Sequence, residues 1–225
     1  MRLFNFRAMS TRVTFYVDGF NFYYGLKRKK QVNPHWQRFY WLDVVKFFSQ
    51  FLGPGQELAK VVYFTASPLD SEKSSRQSAF LNANTLLNPD TFEIVRGKYI
   101  NKIIQCPHCK TAINRPEEKK TDVNLSVRMM GDCFNNLTDV VVLVSADTDL
   151  IPPMDFILNT FADKKVRVYF PPTNNSYDIA AYMKARRSNI IRLENNEAKF
   201  ANAVMPDVVS NNIKSYIIPE NWKSL

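Results

Sequence analysis

Two carboxylates set two residues apart, Asp147 and Asp149, close the stretch Val140-Val141-Val142-Leu143-Val144-Ser145-Ala146-Asp147-Thr148-Asp149-Leu150. Asp18 stands in Val17-Asp18-Gly19-Phe20-Asn21, and Asp122 follows Lys120-Thr121. Four carboxylates gathered without paired bases repel one another unless a cation neutralises them. Hard divalent cations take oxygen ligands, and Mg2+ or Mn2+ suits a site of Asp, Asn and water. Water activated by such an ion and aimed at a phosphodiester is a hydrolytic nucleophile. The plainer reading makes Asp149 a helix N-cap and Asp147 a turn residue.

The elements around these acids decide whether they can meet. Residues 140–144 are an unbroken aliphatic run, which suits a strand buried on both faces. Arg12 to Val17 reads as a first strand ending at Asp18-Gly19, with a helix from Phe22 to about Lys30. Further helices are expected over 41–52 and 70–87, and strands over 59–66 and 92–99. Residues 100–120 break the rhythm and read as an inserted loop or small hairpin. Thr121 is expected to cap a helix from Asp122 to about Asn135, with Val123, Leu125, Val127 and Met130 in its apolar pattern. After the 140–144 strand come a helix 150–162, a strand 166–170, a helix 176–185, a short strand 189–193 and a helical segment 194–204.

Strands alternating with helices predict an α/β fold, a doubly wound and mostly parallel sheet with helices on both faces. The expected organisation is an N-terminal extension 1–11, a domain 12–204 with the Cys-containing insertion at about 100–120, and a C-terminal appendage 205–225. Parallel strands place their C-terminal ends on one edge, where open sheets bind ligands. Asp18, Asp147 and Asp149 converge there if strands 12–17 and 140–144 are neighbours. Asp122, at the start of a helix running back against the strands, would share that edge. Asp132 lies ten residues further on, about 15 Å along the helix axis, too far to share an ion with Asp122.

Composition narrows the partners. The 225-residue chain carries 30 Lys and Arg against 21 Asp and Glu, a formal charge of +9. That excess favours a polyanion, nucleic acid first. Basic clusters fall at Lys27-Arg28-Lys29-Lys30, Lys164-Lys165, and Lys184 with Arg186-Arg187. Each can equally be a solvated face. Three cysteines are too few for a disulfide framework and fit a reducing, cytoplasmic setting. No apolar run approaches the ~18 residues a membrane helix needs, so no membrane partner is expected. Six glycines and no Gly-rich phosphate loop argue against a nucleotide cradle. Cys106-Pro107-His108-Cys109 has the spacing of a zinc knuckle, yet Zn2+ takes four ligands. Only His108, Cys133 and His35 remain within the chain, although a homodimer could supply a second pair. Otherwise the loop simply keeps two thiols.

Three motifs in order carry a family resemblance. Val17-Asp18-Gly19-Phe20-Asn21-Phe22-Tyr23-Tyr24, Glu118-Lys119-Lys120-Thr121-Asp122-Val123-Asn124-Leu125 and Leu143-Val144-Ser145-Ala146-Asp147-Thr148-Asp149-Leu150 resemble the motifs of NYN domains. The likeness is to the LabA-like branch of the PIN-like nuclease superfamily. Phe170-Pro171-Pro172 and Pro219-Glu220-Asn221-Trp222 add to it. Ala146 departs from the Gly or Asn frequent in the family, a change confined to the turn. The resemblance implies a PIN-like fold, an Mg2+ or Mn2+ site and endoribonuclease activity, with single-stranded RNA as the expected partner. It also implies that Asp18, Asp122, Asp147 and Asp149 bind the metal, that Asn21 orients a water or ligand, and that Ser145 shapes the site. A catalytically silent RNA-binding or regulatory module with the same fold is the alternative.

Overall fold

The computed structural model describes residues 10–188 and 190–223, without the side chains of 100–102 and 113–118. Most of the expected N-terminal extension, and the side chains of Glu117 and Glu118, lie outside the described residues. Strand β1 (Thr11–Asp18) leads into helix α1 (Gly19–Val32), a 3-10 turn (Pro34–Tyr40) and α2 (Val44–Ser49). β2 (Gln56–Thr65), α3 (Ser71–Leu87) and β3 (Phe92–Arg96) follow, then a hairpin of β4 (Lys98–Gln105) and β5 (Ala112–Lys119). Next come α4 (Thr121–Phe134), β6 (Val140–Val144), a 3-10 turn (Thr148–Leu150), α5 (Ile151–Thr160), β7 (Lys165–Phe170), α6 (Tyr177–Ala185) and β8 (Ile190–Arg192). The chain closes with α7 (Glu197–Asn202), a hairpin of β9 (Val208–Ser210) and β10 (Ser215–Ile217), and a 3-10 turn (Glu220–Trp222).

Six strands form one parallel sheet in the order β3-β2-β1-β6-β7-β8. The chain builds outward from β1 to β3, then restarts at β6 on the other side of β1. The switch point therefore lies between β1 and β6, where open sheets leave a crevice at the strand ends. Val17 pairs with Val144, so Asp18 and Ser145 emerge side by side.

Side chains along β1 alternate between two cores, as strand geometry requires. Val13, Phe15 and Val17 join Phe22, Phe47, Phe48 and Phe200 from α1, α2 and α7. Tyr16 faces Leu125, Met129, Met154 and Met183 from α4, α5 and α6. Helices thus cover both faces of the sheet, as the alternation predicts. Val209, Ile218 and Trp222 from the C-terminal segment are buried in the first of these cores.

Several local expectations change. Helix α1 begins at Gly19, immediately after β1, because Asp18 caps it: Phe20 and Asn21 N–H donate to Oδ1 at 3.1 and 3.0 Å. A Cβ at Gly19 would lie 2.5 Å from the Tyr63 ring, so glycine alone allows this close turn. The helix expected over 41–52 is shortened to Val44–Ser49, where Asp43 caps it by accepting from Lys46 N–H at 2.9 Å. The strand expected over 92–99 breaks at Gly97, where a Cβ would sit 2.4 Å from Thr121 Oγ1. Thr121 is not a cap. Lys120 precedes α4 with φ 79°, and the Thr121 hydroxyl is buried without a partner. The apolar stripe of α4 is Leu125, Met129 and Cys133, while Val123 and Val127 face solvent at 65% and 60% exposure. Both sets keep helical spacing, and packing of α4 against Tyr16 and Val62 buries the former.

Candidate active site at the sheet switch point

Asp18 ends β1 at 2% exposure, and its carboxylate is held from every side. Oδ1 accepts the two N–H groups of α1. Oδ2 accepts Asn21 Nδ2 at 2.6 Å and the Ser145 hydroxyl at 2.9 Å. An ionised carboxylate offers about four acceptor positions, so all are used. Burial raises the Asp18 pKa, the bonds from Asn21 and Ser145 oppose that, and the nearby Asp147 charge adds to the rise.

Ser145 directly follows β6 and also accepts Asp147 N–H at 3.1 Å. Asp147 caps the following 3-10 turn by accepting Asp149 N–H at 3.0 Å. The plainer expectation assigned the cap to Asp149; the structure gives it to Asp147, half-buried, and leaves Asp149 exposed in the turn. Asp122 stands exposed in the first turn of α4, near enough to feel the charges of the other three acids. Partial desolvation, then the charges of Asp18, Asp147 and Asp149, push its pKa up to about 6. The four acids therefore share one electrostatic environment in which like charges dominate.

They do not yet share one ion's coordination sphere. Among the described residues, no three His, Cys, Asp or Glu side chains stand close enough to hold a metal together. The donor set nevertheless fits a hard cation: oxygen ligands only, repelling one another. Mg2+ keeps several waters and needs only one or two carboxylates directly, so acids spaced about a crevice suffice.

Asn21 is occupied with protein partners. Its amide nitrogen holds Asp18, and its carbonyl groups accept Asn174 Nδ2 at 2.9 Å (backbone) and 3.2 Å (side chain). Asn174 follows β7 and belongs to none of the three motifs, although Pro171-Pro172-Thr173-Asn174 falls at the same sheet edge. Asp132 lies elsewhere, accepting Arg128 Nε at 2.8 Å and the Tyr16 hydroxyl at 2.9 Å.

The basic clusters divide. Lys164 is buried between Asn136, Asp139 and Asp163, and Arg186 pairs with Asp155; these hold the fold. Arg28 reaches Thr173 and Asn174, and Lys29 pairs with Glu194 at 3.3 Å. Cys106 and Cys109 occupy the tip of the β4–β5 hairpin. The Thr111 hydroxyl, its backbone and Cys106 lower the Cys109 thiol to about 7. Among the described residues no third metal ligand joins them. On the other side of α1 lies a cavity of about 370 Å3, walled by aromatic rings that include Phe20, Tyr40 and Trp222.

The sequence profile of the NYN domain family matches residues 12–184. The chain is 27% identical to 6-hydroxy-3-succinoylpyridine 3-monooxygenase HspA of Pseudomonas putida over 248 aligned positions, covering 94% of this chain and 75% of that protein. The crystal structure of a protein of unknown function from Vibrio parahaemolyticus superposes with a TM-score of 0.52 at 18% identity. It covers 82% of this chain and 93% of that one. This second likeness concerns the fold alone.

Proposed function

The chain belongs to the NYN domain family, and from that premise we propose that it is a metal-dependent nuclease hydrolysing RNA, an endoribonuclease. The family falls within the PIN-like nucleases, which generally use divalent metals and bind nucleic acid. One observation carries the reading. Asp18 and Asp147 are linked through Ser145 at the switch point of the sheet, with Asp122 near enough to feel their charges.

Asp122, Asp147 and Asp149 would hold Mg2+ or Mn2+, and Asp18 would join them on giving up one of its four hydrogen bonds. When bound, the ion supplies water activation and charge neutralisation for phosphodiester hydrolysis. Asn21 and Ser145 fix the orientation of Asp18, and Ser145 also fixes the turn that presents Asp147. The excess of Lys and Arg attracts the strand. The three free thiols support a cytoplasmic setting, and among the described residues no helix is long and apolar enough to cross a membrane.

Incubation with labelled RNA and DNA in Mn2+, Mg2+ or EDTA tests this. We expect RNA cleavage only with metal, lost in Asp147→Asn without loss of fold. Cleavage in EDTA, or full activity of the folded variant, excludes the site.

A second reading draws on the aromatic cavity and on the activity for which the Pseudomonas relative is named. It takes the chain as an enzyme that hydroxylates a small heteroaromatic acid, with O2 and a two-electron reductant as co-substrates. One oxygen atom of O2 would be incorporated into the substrate and the other would leave as water, with the reductant supplying the two electrons. Hydroxylated product from a pyridine carboxylate, formed only with O2 and reduced nicotinamide, would favour it over the nuclease.

A further inference from the structure

The aromatic cavity lies between α1, α3 and the C-terminal 3-10 turn. It starts one residue from Asp18, with Gly19 and Phe20 in its wall. Its rings brace one another: Tyr40 meets Trp222 at 5.7 Å between centroids, Trp222 meets Phe80 at 6.3 Å, and Phe80 meets Tyr63 at 5.9 Å. Such mutual contacts hold the walls without a ligand. Protein interiors leave few voids larger than a water, whereas about 370 Å3 falls in the usual range of small-molecule sites.

Two polar features point to what fills it. Tyr40 lines the wall at 6% exposure, and its hydroxyl is buried without a hydrogen-bond partner. Buried hydroxyls are normally paired, so a group entering the cavity can supply what the protein does not. The second feature is charge. Lys73 and Arg76 of α3 line the cavity, opposed by Asp70 in its wall and by Glu72, 81% exposed and 3.5 Å from Arg76. A second cavity of about 330 Å3 shares Tyr23, Tyr40, Arg76 and Trp222 and adds Lys27 and Lys30. The rings therefore end at a cationic mouth.

We propose that this cavity is a binding site for a planar aromatic ring carrying an anionic arm, the ring against the aromatic walls and the arm toward Arg76 and its neighbouring lysines. Rings offer stacking and edge contacts to a flat ligand, and a guanidinium matches carboxylate or phosphate in a bidentate manner. The site is distinct from the acid cluster; under the second reading above it would hold that reaction's substrate, and the binding test below needs no turnover. Two sources share this ligand chemistry: a nucleotide of a bound strand, and a free aryl carboxylate.

Binding is measured by calorimetry and Trp fluorescence in EDTA, which removes any contribution from metal at the acid cluster. The probes are 5′-UMP and AMP for the first source and benzoate and nicotinate for the second, with inorganic phosphate and neutral benzamide as controls. At least one source should saturate, with both controls at least about tenfold weaker. Arg76→Gln should weaken binding about tenfold or more. Tyr40→Phe should weaken it about threefold to tenfold. That variant deletes an unpaired hydroxyl, so its melting temperature should not fall, which separates ligand contact from a structural role. Saturation by nucleotides assigns the strand as source, and saturation by aryl carboxylates alone assigns a free small acid. The proposal is overturned if neither class saturates up to about 10 mM, if either control binds as tightly as the ligands, or if either folded variant binds as the wild type does. Should Arg76→Gln fail to fold, the Tyr40→Phe comparison decides.

Discussion

Ser145 and Asp18 are joined by a single hydrogen bond, hydroxyl to Oδ2 at 2.9 Å, across the adjacent ends of β6 and β1. Both side chains are buried, at 0% and 2% exposure. The bond therefore links the two strands that bracket the switch point, and it orients the carboxylate on which α1 starts.

Ser145→Ala removes one of the four donors to that carboxylate and the acceptor of Asp147 N–H. A buried charged group deprived of a donor costs about 1–3 kcal/mol. We expect that loss at pH 7 in denaturant titrations, together with weaker cleavage. Unchanged stability would mean that water replaces the hydroxyl.

The repulsion among the acids has a definite pH signature. Asp122 has a folded pKa raised to about 6. A carboxyl raised above its unfolded value, about 3.9, weakens the fold as pH rises between the two values, and acid relieves the cost. Asp122→Asn should therefore melt above the wild type at pH 7 in EDTA and equal it near pH 4. Added Mg2+ or Mn2+ should raise the wild-type melt more than that of the variant, by mass action. Equal melts at pH 7, with no response to metal, would exclude repulsion at this site.

Asp139 behaves in the opposite sense. Arg12 donates Nη2 to its Oδ1 at 2.7 Å and Nε to Oδ2 at 3.0 Å, and the Arg12 guanidinium holds the carboxyl well below the usual range. A depressed folded pKa contributes stability above the unfolded value that is lost as pH falls through the folded one. Asp139→Asn should cost roughly 1 kcal/mol at pH 7 and progressively less below about pH 4. Chemical denaturation across pH 2–7, a range chosen to bracket roughly the unfolded value, reads the difference directly.

Strand binding should be electrostatic. With log K falling by about 0.7 per phosphate per decade of salt, contacts to three phosphates would lower RNA affinity roughly 20-fold between about 50 and 200 mM. A flat response in filter binding would remove phosphate contact as the main source of affinity.

Much of the molecule is legible in the chain alone. The apolar run 140–144, the Asp18-Gly19 turn and the alternation of helices and strands follow local rules of burial and backbone geometry, and they are enough for the fold class and for the edge on which the acids lie. The β4–β5 hairpin is readable as an interruption of that alternation.

Other features depend on which surfaces meet. Val123 and Val127 satisfy a helical pattern as well as Leu125 and Met129 do, and only docking of α4 on Tyr16 and Val62 selects the buried stripe. Pairing of β1 with β6 places Ser145 against Asp18, a contact between residues 127 apart in sequence. Asn174 reaches Asn21 across a separation of 153, and Trp222 closes the aromatic cavity from the far end of the chain. Sequence by itself determined which residues can carry charge and which segments must be buried, because those are properties of side chains and short spacings. Tertiary structure alone decided which acid is saturated with hydrogen bonds, which lysines are already paired and which rings enclose a cavity, because each depends on the neighbours that folding supplies.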